Sequence, residues 1–110
     1  MDKQAANSVQ LVGHVSGEPI ERQLPSGDHL VSFRVVVPRR AAARRRTRQS
    51  VDTVECSAWS AKVRRTAVRL AVGDLVAVSG ELRRTFRRSR AGVRSWVTVD
   101  VDRIERTPAQ

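Results

Sequence analysis

Cysteine is nearly absent from this chain of 110 residues: Cys56 stands alone. One thiol excludes an internal disulfide framework and a cysteine-based zinc site. Tyrosine is missing, and two Trp and two Phe are the whole aromatic complement. No apolar run reaches the 18 residues a membrane-spanning helix needs, so no membrane partner is expected. The opening Met-Asp-Lys-Gln-Ala-Ala-Asn has no apolar segment of the kind a secretion signal requires, which points to the cytoplasm. Chemistry-bearing clusters are also lacking. There is no His/Cys/Asp group at metal spacing, no glycine-rich phosphate loop and no nucleophile motif. Asp100 and Asp102 form an i, i+2 acid pair on a strand with no third ligand, and His14 and His29 are isolated. The expectation is therefore no enzyme, no metal and no cofactor.

Acidic residues are scarce too, 11 against 21 Lys and Arg, for a net charge of +10. The basic residues are clustered. Residues 34–48 carry seven Arg and no acid, residues 62–69 four basic residues, and residues 83–94 six Arg and no acid. A GC-rich coding bias accounts for 19 Arg beside 2 Lys. It does not account for the clustering, which marks a surface for a polyanion, nucleic acid above all. Forty per cent hydrophobic residues in a chain of this length suit one domain with one core.

The apolar pattern has the period of two that marks strands. Val9, Leu11, Gly13 and Val15 alternate with polar neighbours, Gly17-Glu18-Pro19 interrupts, and Ile20–Leu24 reads as a short continuation. Pro25-Ser26-Gly27-Asp28 is a turn by composition. Val31, Phe33, Val35 and Val37 make a second strand, with Phe33 in the core, ended by Pro38. Residues 38–50 have no apolar face and read as a basic loop. On the third strand, Val51–Trp59, the small residues Val54, Cys56 and Ala58 face the core. Thr53, Glu55, Ser57 and Trp59 face outward, so a large ring sits on the polar side. Ser60 caps a helix with Val63, Ala67, Leu70 and Ala71 on its apolar face, closed by Gly73-Asp74. Leu75 onward runs through Gly80 toward Phe86, Ser89–Gly92 is a hairpin tip, and Val93–Val101 returns with Val97, Val99 and Val101 inward. The order predicts an all-β fold, a five-stranded oligonucleotide/oligosaccharide-binding (OB) barrel with one short helix between the third and fourth strands.

Four segments in order resemble bacterial single-stranded DNA-binding proteins. They are Asn7-Ser8-Val9-Gln10-Leu11-Val12-Gly13 with Pro19; Val31-Ser32-Phe33-Arg34-Val35; Glu55-Cys56-Ser57-Ala58-Trp59; and Gly73-Asp74-Leu75-Val76-Ala77-Val78-Ser79-Gly80-Glu81-Leu82. The resemblance covers residues 7–105 and leaves 1–6 as a flexible start. It implies sequence-independent binding and protection of single-stranded DNA in replication, recombination or repair, by a nucleoid-associated homo-oligomer, a tetramer or a dimer. Trp59 and Trp96 fall at aromatic positions of that family. Phe86 lies one residue from another, where this chain has Arg87, and two further stacking positions read Ala41 and Thr53. The aromatic platform is thus thin, and phosphate contacts should carry a larger share. The family commonly ends in a long linker with an acidic tip, whereas residues 106–110 here have none. That predicts a short, tail-less paralogue, or a chain trimmed of a longer tail, without tail-mediated recruitment. Primosomal-type OB adaptors, which bind single strands and a replication partner, are the alternative, and an RNA-binding OB module is a third.

The expected DNA-binding set is Trp59, Trp96 and Phe86 for stacking. With them go Arg34, Arg39, Arg40, Arg44, Arg45, Arg46, Arg48, Lys62, Arg84, Arg87, Arg88 and Arg94 for phosphates.

Overall fold

The computed structural model describes residues 4–41, 46 and 48–109. Among the described residues the elements follow in the order β1 (Val9–Val15), β2 (Ile20–Gln23), β3 (His29–Pro38), β4 (Val51–Ala58), α1 (Ala61–Ala67), β5 (Leu75–Ser89) and β6 (Gly92–Thr107). The sheet runs β1-β5-β6-β4-β3-β2, and a further β1–β3 pairing at His14↔Val36 and Val15↔Val35 closes five of the strands into a ring. This is the expected five-stranded OB barrel, with β4 and β6 parallel and the other neighbours antiparallel. The Ile20–Leu24 continuation is a strand of its own, β2, attached to β3 alone.

Closure needs close approach of backbones at two places, and glycine stands at both. A Cβ on Gly13 would lie 2.2 Å from the Val36 carbonyl oxygen, where β1 meets β3. One on Gly80 would lie 2.0 Å from the Asp100 carbonyl oxygen, beside the irregularity in the β5–β6 ladder. There Ser79 pairs with Arg103 and Gly80 with Val101, leaving Asp102 as the extra residue. The bulge switches the outward face of β6 from odd to even positions, so Arg103 and Glu105 face out on one side of it and Asp100, Thr98 and Trp96 on the other.

The core is assembled from the inward positions of every barrel strand: Val15, Val31, Phe33, Val35, Cys56, Ala58, Val76, Val78, Val99 and Val101. Helix α1 closes one end with Val63 and Ala67, and Leu70 follows just past it. Ser60 caps this helix as expected, its Oγ accepting the Val63 N–H at 3.3 Å. The helix stops a turn earlier than the apolar spacing suggests. The amides of Arg69 and Leu70 bond three residues back, to Thr66 and Ala67, which tightens the last turn and leaves Ala71 exposed.

Two departures concern the ends of β6. The strand continues past its expected end at Val101 to Thr107. Val97, expected inward, has core parity but is exposed, because the distal half of the β5–β6 hairpin projects beyond the barrel. Thr98 faces outward into the trough, as its parity requires, and is covered there by its neighbours.

Candidate nucleic-acid interface

The outward faces of β3, β4, β6 and the distal part of β5 meet in one groove. Strand registers align Ser32 with Ser57 and Ser57 with Asp100, so short hydroxyl side chains form a low floor. Trp59, Trp96, Arg22, Arg83, Arg87 and Thr85 rise around it. A second hollow, toward the turn between β1 and β2, includes Ser16, Glu18 and Arg34. The two share Arg22, Ser32 and Glu55, and so form one continuous trough.

Trp59 is held by its neighbours on three sides. Its backbone carbonyl accepts a hydrogen bond from Arg64 Nη1, which also donates to the His29 carbonyl at 3.3 Å, tying α1 to β3. Its indole Nε1–H donates to Asp100 Oδ1 at 3.0 Å. The other Asp100 oxygen binds Arg83 Nε at 2.7 Å, and the Arg83 guanidinium carbon lies 5.6 Å from the Trp59 ring centroid. A cation over an exposed ring is worth about 0.5–1 kcal/mol. The ring is therefore fixed in orientation with a cation above it. Trp96 is 39% exposed and pairs with Thr85 on the same hairpin face as Arg83 and Arg87.

The trough gathers Trp59, Trp96, Arg34 and Arg87 from the expected set, and the Arg87↔Arg94 register sets Arg94 on the same hairpin face. Phe86 is elsewhere. It pairs with Ser95 on the opposite hairpin face, 65% exposed, together with Arg84 and Arg88. Arg84 there donates to Ser95 Oγ at 2.9 Å. Lys62 lies in a separate hollow with Asp102 and Glu105. Arg39 grips Asp52 with two bonds, Nε to Oδ2 at 3.0 Å and Nη2 to Oδ1 at 2.8 Å, holding that carboxyl below its usual range. Arg40, Arg46 and Arg48 are exposed, while Arg44 and Arg45 fall outside the described residues. Arg22, Arg83, Glu55 and Asp100 line the trough without having been singled out as site residues. Their signal was strand parity combined with register.

Cys56 sits under this face, its thiol pushed up to about 12 by burial and secondarily by the charge of Glu55. Among the described residues no group of three His, Cys, Asp or Glu side chains is arranged to hold a metal ion. No helix of the described residues is long and apolar enough to cross a membrane.

A closed five-strand barrel with an aromatic and basic trough across its third and fifth barrel strands, β4 and β6, is the OB architecture. The model of the single-strand binding protein family matches residues 6–107, and the chain belongs to that family. It is 30% identical over 92 residues to the single-stranded DNA-binding protein of Bacillus cereus, covering 84% of this chain and 54% of that one. Its likeness to the Bacillus anthracis protein is also 30% over 92 residues, covering 53% of that protein. The chain thus spans about half the length of these curated relatives. The solved Plasmodium falciparum SSB complex with ssDNA shares the fold at a TM-score of 0.76 and 17% identity, with 96% of each chain covered.

Proposed function

We propose that the chain binds single-stranded DNA with little dependence on sequence, and does so as a binding protein rather than an enzyme. The observation that carries this is the pairing of Trp59 and Trp96 on one trough walled by Arg22, Arg83 and Arg87. Rings offer every base a stacking surface, and guanidinium groups neutralise the phosphate line. A duplex hides its base faces, so the trough favours strands exposed in replication, recombination and repair. The test is quenching of tryptophan fluorescence by oligo-dT against a matched duplex over a salt series. Saturable quenching by the single strand, with much weaker binding of the duplex, is expected. Equal affinity for both forms overturns the reading.

The same reading includes assembly with a second copy. Strand β1 pairs with β5 on one side along Val9–His14, but with β3 on the other only at His14 and Val15. Its remaining edge, with Val12 60% exposed, lacks a strand partner among the described residues. Neither Lys nor Pro between Ser8 and Ser16 discourages pairing there. Edge-to-edge association about a two-fold axis would satisfy those backbone groups and build dimers, and tetramers from them. Light scattering at moderate salt tests it: a particle near the 12.3 kDa of one chain rejects it.

A further inference from the structure

Glu55 is an anomaly within a trough suited to a polyanion. It is half-buried on the outward face of β4, lines both hollows of the trough, and makes no ion pair or side-chain hydrogen bond among the described residues. It is therefore not used up in pinning the fold. Its carboxylate can only accept hydrogen bonds, which suits it to the N–H groups of bases and not to phosphate oxygens.

Directly across the ladder from Glu55 is Arg34, also in the trough. Opposed residues of an antiparallel pair have Cβ atoms about 4.5–5.5 Å apart, so a carboxylate and a guanidinium project side by side. Resting on the single-strand reading above, we propose that Glu55 and Arg34 make this part of the trough prefer guanine and disfavour thymine. The pairing edge of guanine offers a carbonyl acceptor followed by two adjacent N–H donors. Arg34 supplies the donor for O6, and the two Glu55 oxygens accept N1–H and N2–H. Thymine offers one N–H between two carbonyls, so a bidentate carboxylate faces a carbonyl oxygen. Unstacked bases in single strands are read on this edge. Glu55 and Trp59 stand four positions apart along extended chain, about 13 Å. The base read at Glu55 and the base stacked on Trp59 are therefore different nucleotides, and one contact does not displace the other.

The experiment measures anisotropy of three labelled oligonucleotides of equal length in one buffer: oligo-dT, oligo-dT carrying isolated dG residues, and the same with deoxyinosine for dG. The dG oligomer is expected to bind about fivefold tighter than oligo-dT, the low end for one bidentate base contact. Deoxyinosine, which lacks the N2 amine, loses most of that gain. Glu55→Gln binds oligo-dT more tightly than the unaltered protein, through removal of one negative charge, and no longer distinguishes dG. Equal binding of oligo-dT and the dG oligomer overturns the proposal and leaves the single-strand reading intact. So does a dG preference that persists in Glu55→Gln. Failure of every oligomer to bind overturns both.

Discussion

At the scale of single residues, Trp59 does two things at once. Its indole is locked to Asp100, and its face is shared with Arg83. Trp59→Ala is expected to cost about 1–3 kcal/mol of single-strand affinity, with little change across a salt series, since stacking releases no counterions. Arg83→Ala is expected to do the reverse, flattening the log–log salt slope by about 0.7 if Arg83 neutralises one phosphate. Cys56 offers a separate check. With its thiol raised to about 12 by burial, it is expected to resist alkylation at neutral pH until the protein is denatured. Trp59 was legible in the sequence because a large ring on the polar side of a strand has no core to fill. Arg83 was not, because its position over that ring depends on Asp100, a residue on a different strand. Glu55 stood openly among the outward residues of its strand, but only the register with Arg34 gives its charge a neighbour.

Among the elements, the β5–β6 hairpin sorts its aromatics onto two separate faces. Its two faces carry different sets, Trp96 with Arg87 and Arg94 on one, Phe86 with Arg84 and Arg88 on the other. Trp96→Ala is expected to weaken oligo-dT binding clearly more than Phe86→Ala. Equal losses in a titration would mean that the strand crosses both faces. This division was within reach of the sequence. The tip at Ser89–Gly92 was recognised, and counting outward from the Ser89↔Gly92 pair sets Thr85, not Phe86, opposite Trp96. The bulge at Asp102 was harder to see, since the change of parity shows only at Ile104, the one aliphatic residue of β6 beyond it. Gly80 beside it is sterically required. Gly80→Ala is expected to destabilise the fold by about 1–3 kcal/mol or more, read as a lowered denaturant midpoint, because the Asp100 backbone must move.

For the molecule as a whole, one buried acid joins distant parts of the chain. Asp74 is 2% exposed and accepts the Ala71 N–H at 2.9 Å, the Ala109 N–H at 3.0 Å and Arg106 Nε at 2.8 Å. These bonds, the two backbone amides first and Arg106 after them, hold its carboxyl below the usual range despite burial. A lowered folded value means that its stabilising contribution is complete above the unfolded value of about 3.9. It is lost as pH falls from there through the folded value. Thermal melts are expected to show a lower midpoint for Asp74→Asn at neutral pH, and a gap between variant and parent that narrows below about pH 4. The sequence marked Gly73-Asp74 as a helix terminator. It gave no sign that Arg106 and Ala109 return to the same carboxylate, because that depends on β6 running to the barrel base. The succession of barrel strands and most of the core, by contrast, followed from alternation, since inward Val, Phe, Cys and Ala positions recur on every barrel strand, with Val97 the exception.

Closing the ring through β1 also governs how the chain reaches this state. β1 leaves the ribosome before the other strands of the barrel, yet its main partner is β5, with Val9 opposite Gly80 and His14 opposite Leu75. At synthesis rates of about 5–20 residues per second, that partner emerges several seconds later. Until then Leu11 and Val15 have nothing to cover them from that side. Pairings so distant along the chain carry a large loop-closure cost and place folding in the slow, millisecond-to-second range. Docking of β1 is expected to be the late event. In stopped-flow refolding, Val9→Ala should speed unfolding and leave the folding limb nearly unchanged, whereas Val54→Ala in the β3–β4 hairpin should slow folding. The strand that seals the barrel is made first and satisfied last.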